Sequence, residues 1–185
     1  MDIKLFYTGA KTYGATQVNP RQSLGGLPSS SLIPNGLLSN LFMNIALLST
    51  TTHEVKAIVL KNISGRVLSN VDVYVDTNID WIKTTVGAVW LSTTGEMEKI
   101  TSTYALPYGI VFNETAEDSR LELGNPSTGV ILNNQMVGIW IKREINRSAL
   151  SSDFTPDALY EKYLKREAPF EKEGLIDLKF SYDMN

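Results

Sequence analysis

The chain has 185 residues, 43 % hydrophobic and 20 % charged, with a formal net charge of -3. That balance suits a globular protein with a buried core and excludes a disordered or fibrous chain, and the acidic excess disfavours a sequence-independent nucleic-acid binder. Cysteine is absent, which excludes disulfides, thiolate metal sites and cysteine nucleophiles, and a single histidine, His53, leaves only carboxylate-rich sets for a metal.

In chain order, residues 2–7 alternate apolar and polar and predict a strand. They lack the basic segment and long apolar run of a secretory leader, and no stretch approaches 18 apolar residues, so neither export nor a membrane partner is expected. Residues 8–53 carry only two formal charges, Lys11 and Arg21, but hold three of the seven prolines and many aliphatic side chains. Gly25, Gly26, Pro28 and Pro34 favour an extended path over a long helix. Residues 1–54 are therefore read as an N-terminal strand and an extended low-charge arm. Its apolar surface needs cover, from its own domain or from a neighbouring subunit. A second apolar stripe at Leu37, Leu38, Leu41, Ile45 and Leu48 has helical spacing, which Phe42, Met43 and Leu47 blur.

Residues 55–185 read as a β-sandwich domain. Residues 55–62 are nearly continuously apolar, and residues 63–66 turn. Val71, Val73 and Val75 alternate with Asp72, Tyr74 and Asp76, one face toward the core and the other wet. Strands are also expected at 86–91, 107–112 and 136–145, with a weaker one at 100–104. Ile176, Leu178, Phe180 and Tyr182 mark the last strand. One helix is predicted over 156–167: Thr155 caps it, Pro156 suits its first position and Pro169 stops it. Many short strands with turns between them predict a mainly β fold. Its expected form is an antiparallel immunoglobulin-like β-sandwich with an N-terminal arm and one C-terminal helix before the last strand.

No arrangement meets a reaction's needs. His53 sits in a threonine-rich stretch beside a strand start, where a lone histidine reads as a surface or turn residue. Asp72 and Asp76 are four strand positions apart, about 13 Å, beyond the spacing of glycosidase carboxylates. Glu96 and Glu98 form an acidic pair without a pocket. Residues 76–80 begin like a calcium loop, but Trp81 stands where glycine is needed and Gly87 where the bidentate glutamate belongs. Gly25-Gly26 matches no phosphate-binding pattern. The tripeptides starting at Asn62, Asn113 and Asn146 read more simply as turns than as glycosylation sites. The mixed charges of residues 142–173 read as a solvated helix and its flanks, not a nucleic-acid patch. No catalytic residue, metal or cofactor is expected. Trp81, Trp90 and Trp140, with Tyr74, Tyr104 and Tyr108, could pack in a core or offer an aromatic platform. Alternation puts Ile139 and Ile141 on one strand face and Trp140 on the other, where the 156–167 helix or another subunit would have to cover it.

Several segments carry a resemblance. Asn40-Leu41-Phe42 precedes the run at 52–62 that ends Leu-Lys-Asn. A Ser-Gly turn at Ser64-Gly65 and the strand at 69–75 follow, then Gly-Ile-Trp-Ile-Lys-Arg at 138–143 and Leu-Lys-Phe-Ser-Tyr at 178–182. This order resembles tailed-bacteriophage virion proteins built on an immunoglobulin-like sandwich. The start at 4–11 and the glycine-rich arm at 25–36 are most similar to neck or tail-ring (collar) proteins of crAss-like Bacteroides phages. The motifs are structural rather than chemical, and residues 148–174 depart from the short final hairpin of the wider group.

The resemblance implies a non-enzymatic virion protein, assembled in the host bacterial cytoplasm as a homo-oligomeric ring at the head-to-tail connection. Arms would bridge its subunits, and portal or adjacent ring proteins would be its neighbours. It would lie near the DNA channel without binding nucleic acid specifically. The expected subunit contacts are Leu27, Leu32, Ile33, Leu37 and Leu38 in the arm and Trp140, Tyr160 and Tyr163 near the helix. The alternative is a carbohydrate- or receptor-binding sandwich of a tail fibre or decoration protein, using exposed tryptophans and residues 76–80.

Overall fold

The apolar runs and alternations become nine strands in two antiparallel sheets among the described residues. The computed structural model describes residues 3–34, 41–42, 53–76, 82–145 and 178–185. The strands are β1 (Ile3–Ala10), β2 (Leu27–Leu32), β3 (His53–Asn62), β4 (Leu68–Val75), β5 (Ile82–Ser92), β6 (Leu121–Glu122), β7 (Val130–Ile131), β8 (Met136–Ile145) and β9 (Leu178–Met184). The larger sheet has the order β2-β1-β3-β8-β5. In the smaller sheet β4 is central: β9 pairs along one edge, while β6 and β7 follow each other along the other. The described residues are mainly β, and Pro20–Gln22 form a short 3-10 turn.

One core is shared by both sheets. Ile58 and Leu60 of β3 and Val137, Ile139 and Ile141 of β8 meet Leu68, Val71 and Val73 of β4 and Ile131 of β7. The expected alternation of β4 holds, with its three valines buried and Asp72 and Tyr74 half-buried. Leu41 and Phe42, from the stripe of mixed spacing, also belong to this core.

The larger sheet is buried on its other face as well, which accounts for the nearly continuous apolar run of β3. Val55, Ala57 and Val59 join Met136 and Trp140 of β8 in a second core, closed by Leu91, Met97 and Ile100. Leu24, Ala105, Ile110 and Phe112 pack against it. The cover is therefore loop, tied down by backbone hydrogen bonds. The Val55 amide donates to Thr103 O at 2.6 Å, Ile100 to Leu24 O at 3.0 Å, and Gly26 exchanges bonds with Met97.

Two glycines permit this close cover. Gly25 has φ +82, and an added Cβ would overlap the Glu98 carbonyl and approach the Trp140 ring at 2.8 Å. At Gly87, opposite Trp140 on β5, an added Cβ would lie 2.7 Å from Val111 O.

A buried polar hub holds the N-terminal segment to this sheet. Ala57 donates to Ser23 O at 2.9 Å, and the Ser23 hydroxyl donates back to Ala57 O at 2.6 Å. Thr8 N donates to Ser23 Oγ at 3.0 Å, Gly25 N donates to Thr8 Oγ1 at 3.0 Å, and Gln17 Nε2 donates to Thr8 O at 2.6 Å. Of the two ways to cover residues 8–53, residues 8–34 and 41–42 take the intramolecular one. Residues 27–32, read in sequence within an arm, form β2 against β1.

The segments 100–104 and 107–112, expected as strands, are irregular. Their groups go to turns such as Ala105 N to Ser102 O, and a single two-way bridge joins Asn113 to Val86. The helix expected over 156–167 lies outside the described residues.

Two outcomes follow from this layering. Trp140→Ala should lower stability by about 3–5 kcal/mol in urea denaturation, since it empties the centre of the second core. Deleting residues 8–34 should abolish the cooperative calorimetric transition, because it removes β2 and the Ser23 anchor; an unchanged midpoint would show the segment to be dispensable.

Candidate functional site

The charged residues of β3 and β8 build the most enclosed charged group among those described. Register places Glu54 opposite Arg143 and Lys56 opposite Ile141. Arg143 is 0 % exposed; its Nη2 donates to Glu54 Oε2 at 2.5 Å, and its guanidinium lies 4.8 Å from the centre of the Phe42 ring. Its Nε and Nη1 make no hydrogen bond, and neither does Oγ1 of Thr84, the residue opposite it on β5. Burial lowers the Arg143 pKa, and the Glu54 carboxylate opposes that shift.

Lys56 donates from Nζ to Arg21 O at 3.2 Å. Burial brings its pKa down to about 8; Glu54 resists the change, whereas Arg21 and Arg143 add to it. Such a group pays for desolvation with its own internal pairing. Closed from solvent, it locks strands together and presents nothing to a substrate.

Of the other acid and base candidates, His53, Asp72 and Glu98 make hydrogen bonds within the fold. His53 Nε2 lies 2.9 Å from Tyr104 O. Asp72 accepts from Ser181 Oγ and lies 3.5 Å from Arg120 Nη1, while Arg120 also sits over the Tyr74 ring. Asp76 is exposed at the end of β4, and residues 77–81 lie outside the described residues. Glu96 and Glu98 are exposed, and Glu98 accepts the Tyr108 amide. Among the described residues no group of three His, Asp or Glu could hold a metal. Asn62 is buried and donates to Arg66 O and Ile131 O, each at 2.8 Å, while its Oδ1 accepts from Ser64. It is a turn anchor, as its sequence context suggested.

The contact candidates divide sharply. Trp140 is 0 % exposed and enclosed by residues 24–26 and 97–112 of its own chain, so no partner reaches it; loop rather than helix or subunit provides its cover. Trp90 packs against the shared core. Ile33 is buried, its amide donating to Leu5 O at 2.8 Å, and Leu27 is half-buried. Leu32 is 45 % exposed. Leu37, Leu38, Tyr160 and Tyr163 lie outside the described residues.

Two apolar surfaces stand out. Beside the β1–β2 edge, a groove of about 570 Å³ is lined by Leu5, Leu32, Ile33, Pro34, Leu178 and Phe180, with Lys4 also in its wall. Across the larger sheet, the loop over residues 104–111 displays Leu106, Tyr108 and Val111 at 55, 91 and 72 % exposure. The sequence signal for that loop was Pro107 and Gly109 breaking an apolar run, which reads equally well as a strand.

The buried pair can be tested directly. Arg143→Met should destabilise by about 3–5 kcal/mol by stranding Glu54, and the double variant Glu54→Leu with Arg143→Met should recover most of that loss in a double-mutant cycle. Charged Lys56 is penalised in the folded state below pH 8, and the penalty disappears as pH rises from 8 toward 10.5. Lys56→Met should therefore show its greatest stability advantage over the parent near pH 7, narrowing across that window in urea titrations. A scan against protein-family models, a search of curated proteins and a search of solved structures each returned no match.

Proposed function

We propose that this chain is a non-enzymatic structural protein of a tailed-phage virion, an immunoglobulin-like sandwich that assembles as a homo-oligomeric ring in the neck or tail. Portal or adjacent ring proteins would be its neighbours. The resemblance of the strand motifs supports the phage assignment. Two antiparallel sheets around a shared core are compatible with the sandwich class.

The observation that carries the assembly reading is the display of large apolar side chains on a well-anchored framework. Leu32, Leu106, Tyr108 and Val111 are exposed beside fully packed cores, the kind of surface that marks a protein contact. The bridging role proposed for the arm shifts accordingly. Residues 8–34 are tied into the fold, and within them Leu32 keeps an exposed side chain for contact.

The glycan-binding reading loses Trp140 to a core, while Trp90 is half-buried against the shared core and Trp81 lies outside the described residues; Tyr104 and Tyr108 are exposed. Among the described residues no helix is long and apolar enough to cross a membrane.

Mass photometry of the purified full chain across a concentration series, with electron microscopy of the assembled fraction, tests the ring. Closed particles of one discrete mass are expected. A strict monomer that also fails to join purified neck or tail assemblies would overturn the proposal, and glycan-array binding lost in Tyr108→Ala would favour the alternative.

A further inference from the structure

The charged pair between β3 and β8 leaves hydrogen-bonding capacity unused. A guanidinium cannot shed its charge and carries several N–H donors in one plane. Arg143 is fully buried, donates from Nη2 to Glu54 and lies over the Phe42 ring. An aromatic ring is at most a weak acceptor, and Nε and Nη1 have no hydrogen-bond partner among the described residues. Buried donors in that condition cost the fold their full desolvation.

Register sets a second such group beside the first. Glu54, Arg143 and Thr84 stand in one row across β3, β8 and β5, so all three project from the same face of the larger sheet. Thr84 is buried, and its Oγ1 has no hydrogen-bond partner among the described residues. Side chains directly opposed on neighbouring strands have Cβ atoms about 4.5–5.5 Å apart, so the hydroxyl and the guanidinium are neighbours that do not bond each other directly.

We infer that one internal water sits between them, accepting from the Arg143 guanidinium and donating to Thr84 Oγ1. Buried waters occupy sites of this kind, where polar groups converge without direct partners. Charge favours water over an anion: Glu54 already pairs with Arg143, and Lys56, the other cation on that face, is bonded to the Arg21 carbonyl. The water extends the charged lock from two strands to three, because it ties the edge strand β5 to the pair through a single hydroxyl.

Thr84→Val decides the matter by the sign of its effect. A buried hydroxyl that holds nothing is a burden, and its replacement by a methyl of the same shape raises stability. A hydroxyl that holds the water is needed, so Thr84→Val should lower the melting temperature of the full chain by about 2–4 °C. In the Glu54→Leu, Arg143→Met background the guanidinium is gone, and the same change should raise the melting temperature instead. A high-resolution crystal structure of the parent should show one water within hydrogen-bonding distance of both Arg143 and Thr84. A Thr84→Val chain that melts above the parent, an equal loss in both backgrounds, or no density at that position in the parent would each overturn the inference. Density too strong for water, with a melting temperature that rises with added phosphate only while Arg143 is present, would overturn it in favour of an anion.

Discussion

Burial of both faces of the larger sheet is the constraint on which the rest of the structure depends. Val55, Ala57 and Val59 face one way from β3, while Ile58 and Leu60 face the other. A sheet with two apolar faces needs two covers, since water on either side would forfeit the burial that offsets chain entropy. The smaller sheet provides one cover. The other is made of irregular chain, whose polar backbone must be satisfied on the spot. Hydrogen bonds from Gly26, Ile100 and the Thr103 carbonyl do this, and Gly25 and Gly87 let the loops sit close enough to exclude solvent from Trp140.

The Glu54–Arg143 pair shows the same constraint on polar side chains. Alternation places both on the face that carries Ile139 and Ile141, among apolar neighbours and under Phe42. A charge there is tolerated only with its partner in place, so the pair pins the register of β3 against β8: a one-residue slip would separate them and reverse every apolar side chain. Lys56 adds a strained neighbour, its ammonium depressed by burial and tied to the Arg21 carbonyl of the covering segment. The polar groups that resemble chemical machinery are thus bound up in the architecture.

Two apolar surfaces remain outward-facing, and both are local. The loop that seals Trp140 turns Pro107 and Ile110 inward and Leu106, Tyr108 and Val111 outward, so one segment closes a core and forms a surface knob. The groove near β2 arises where the sheets part beside an edge strand. Both surfaces are consequences of how the two covers meet the sheet.

Much of the strand content was legible because period-two alternation is a local property: β4 and β9 show it directly, and β8 matches its expected span of 136–145. The mainly β, antiparallel character follows from those runs and the turns between them. The fate of Trp140, the strand role of residues 27–32 and the loop state of 107–112 were not legible, because each depends on a partner distant in the chain. Trp140 could be placed outward from Ile139 and Ile141, but only the approach of residues 24–26 and 97–112 makes that side an interior. Serine-rich residues 27–32 have no alternation of their own and become a strand through pairing with β1. Local pattern thus determined which residues could be strands and which side chains sought burial; tertiary contact decided what covered them, because burial is a property of neighbours and not of sequence alone.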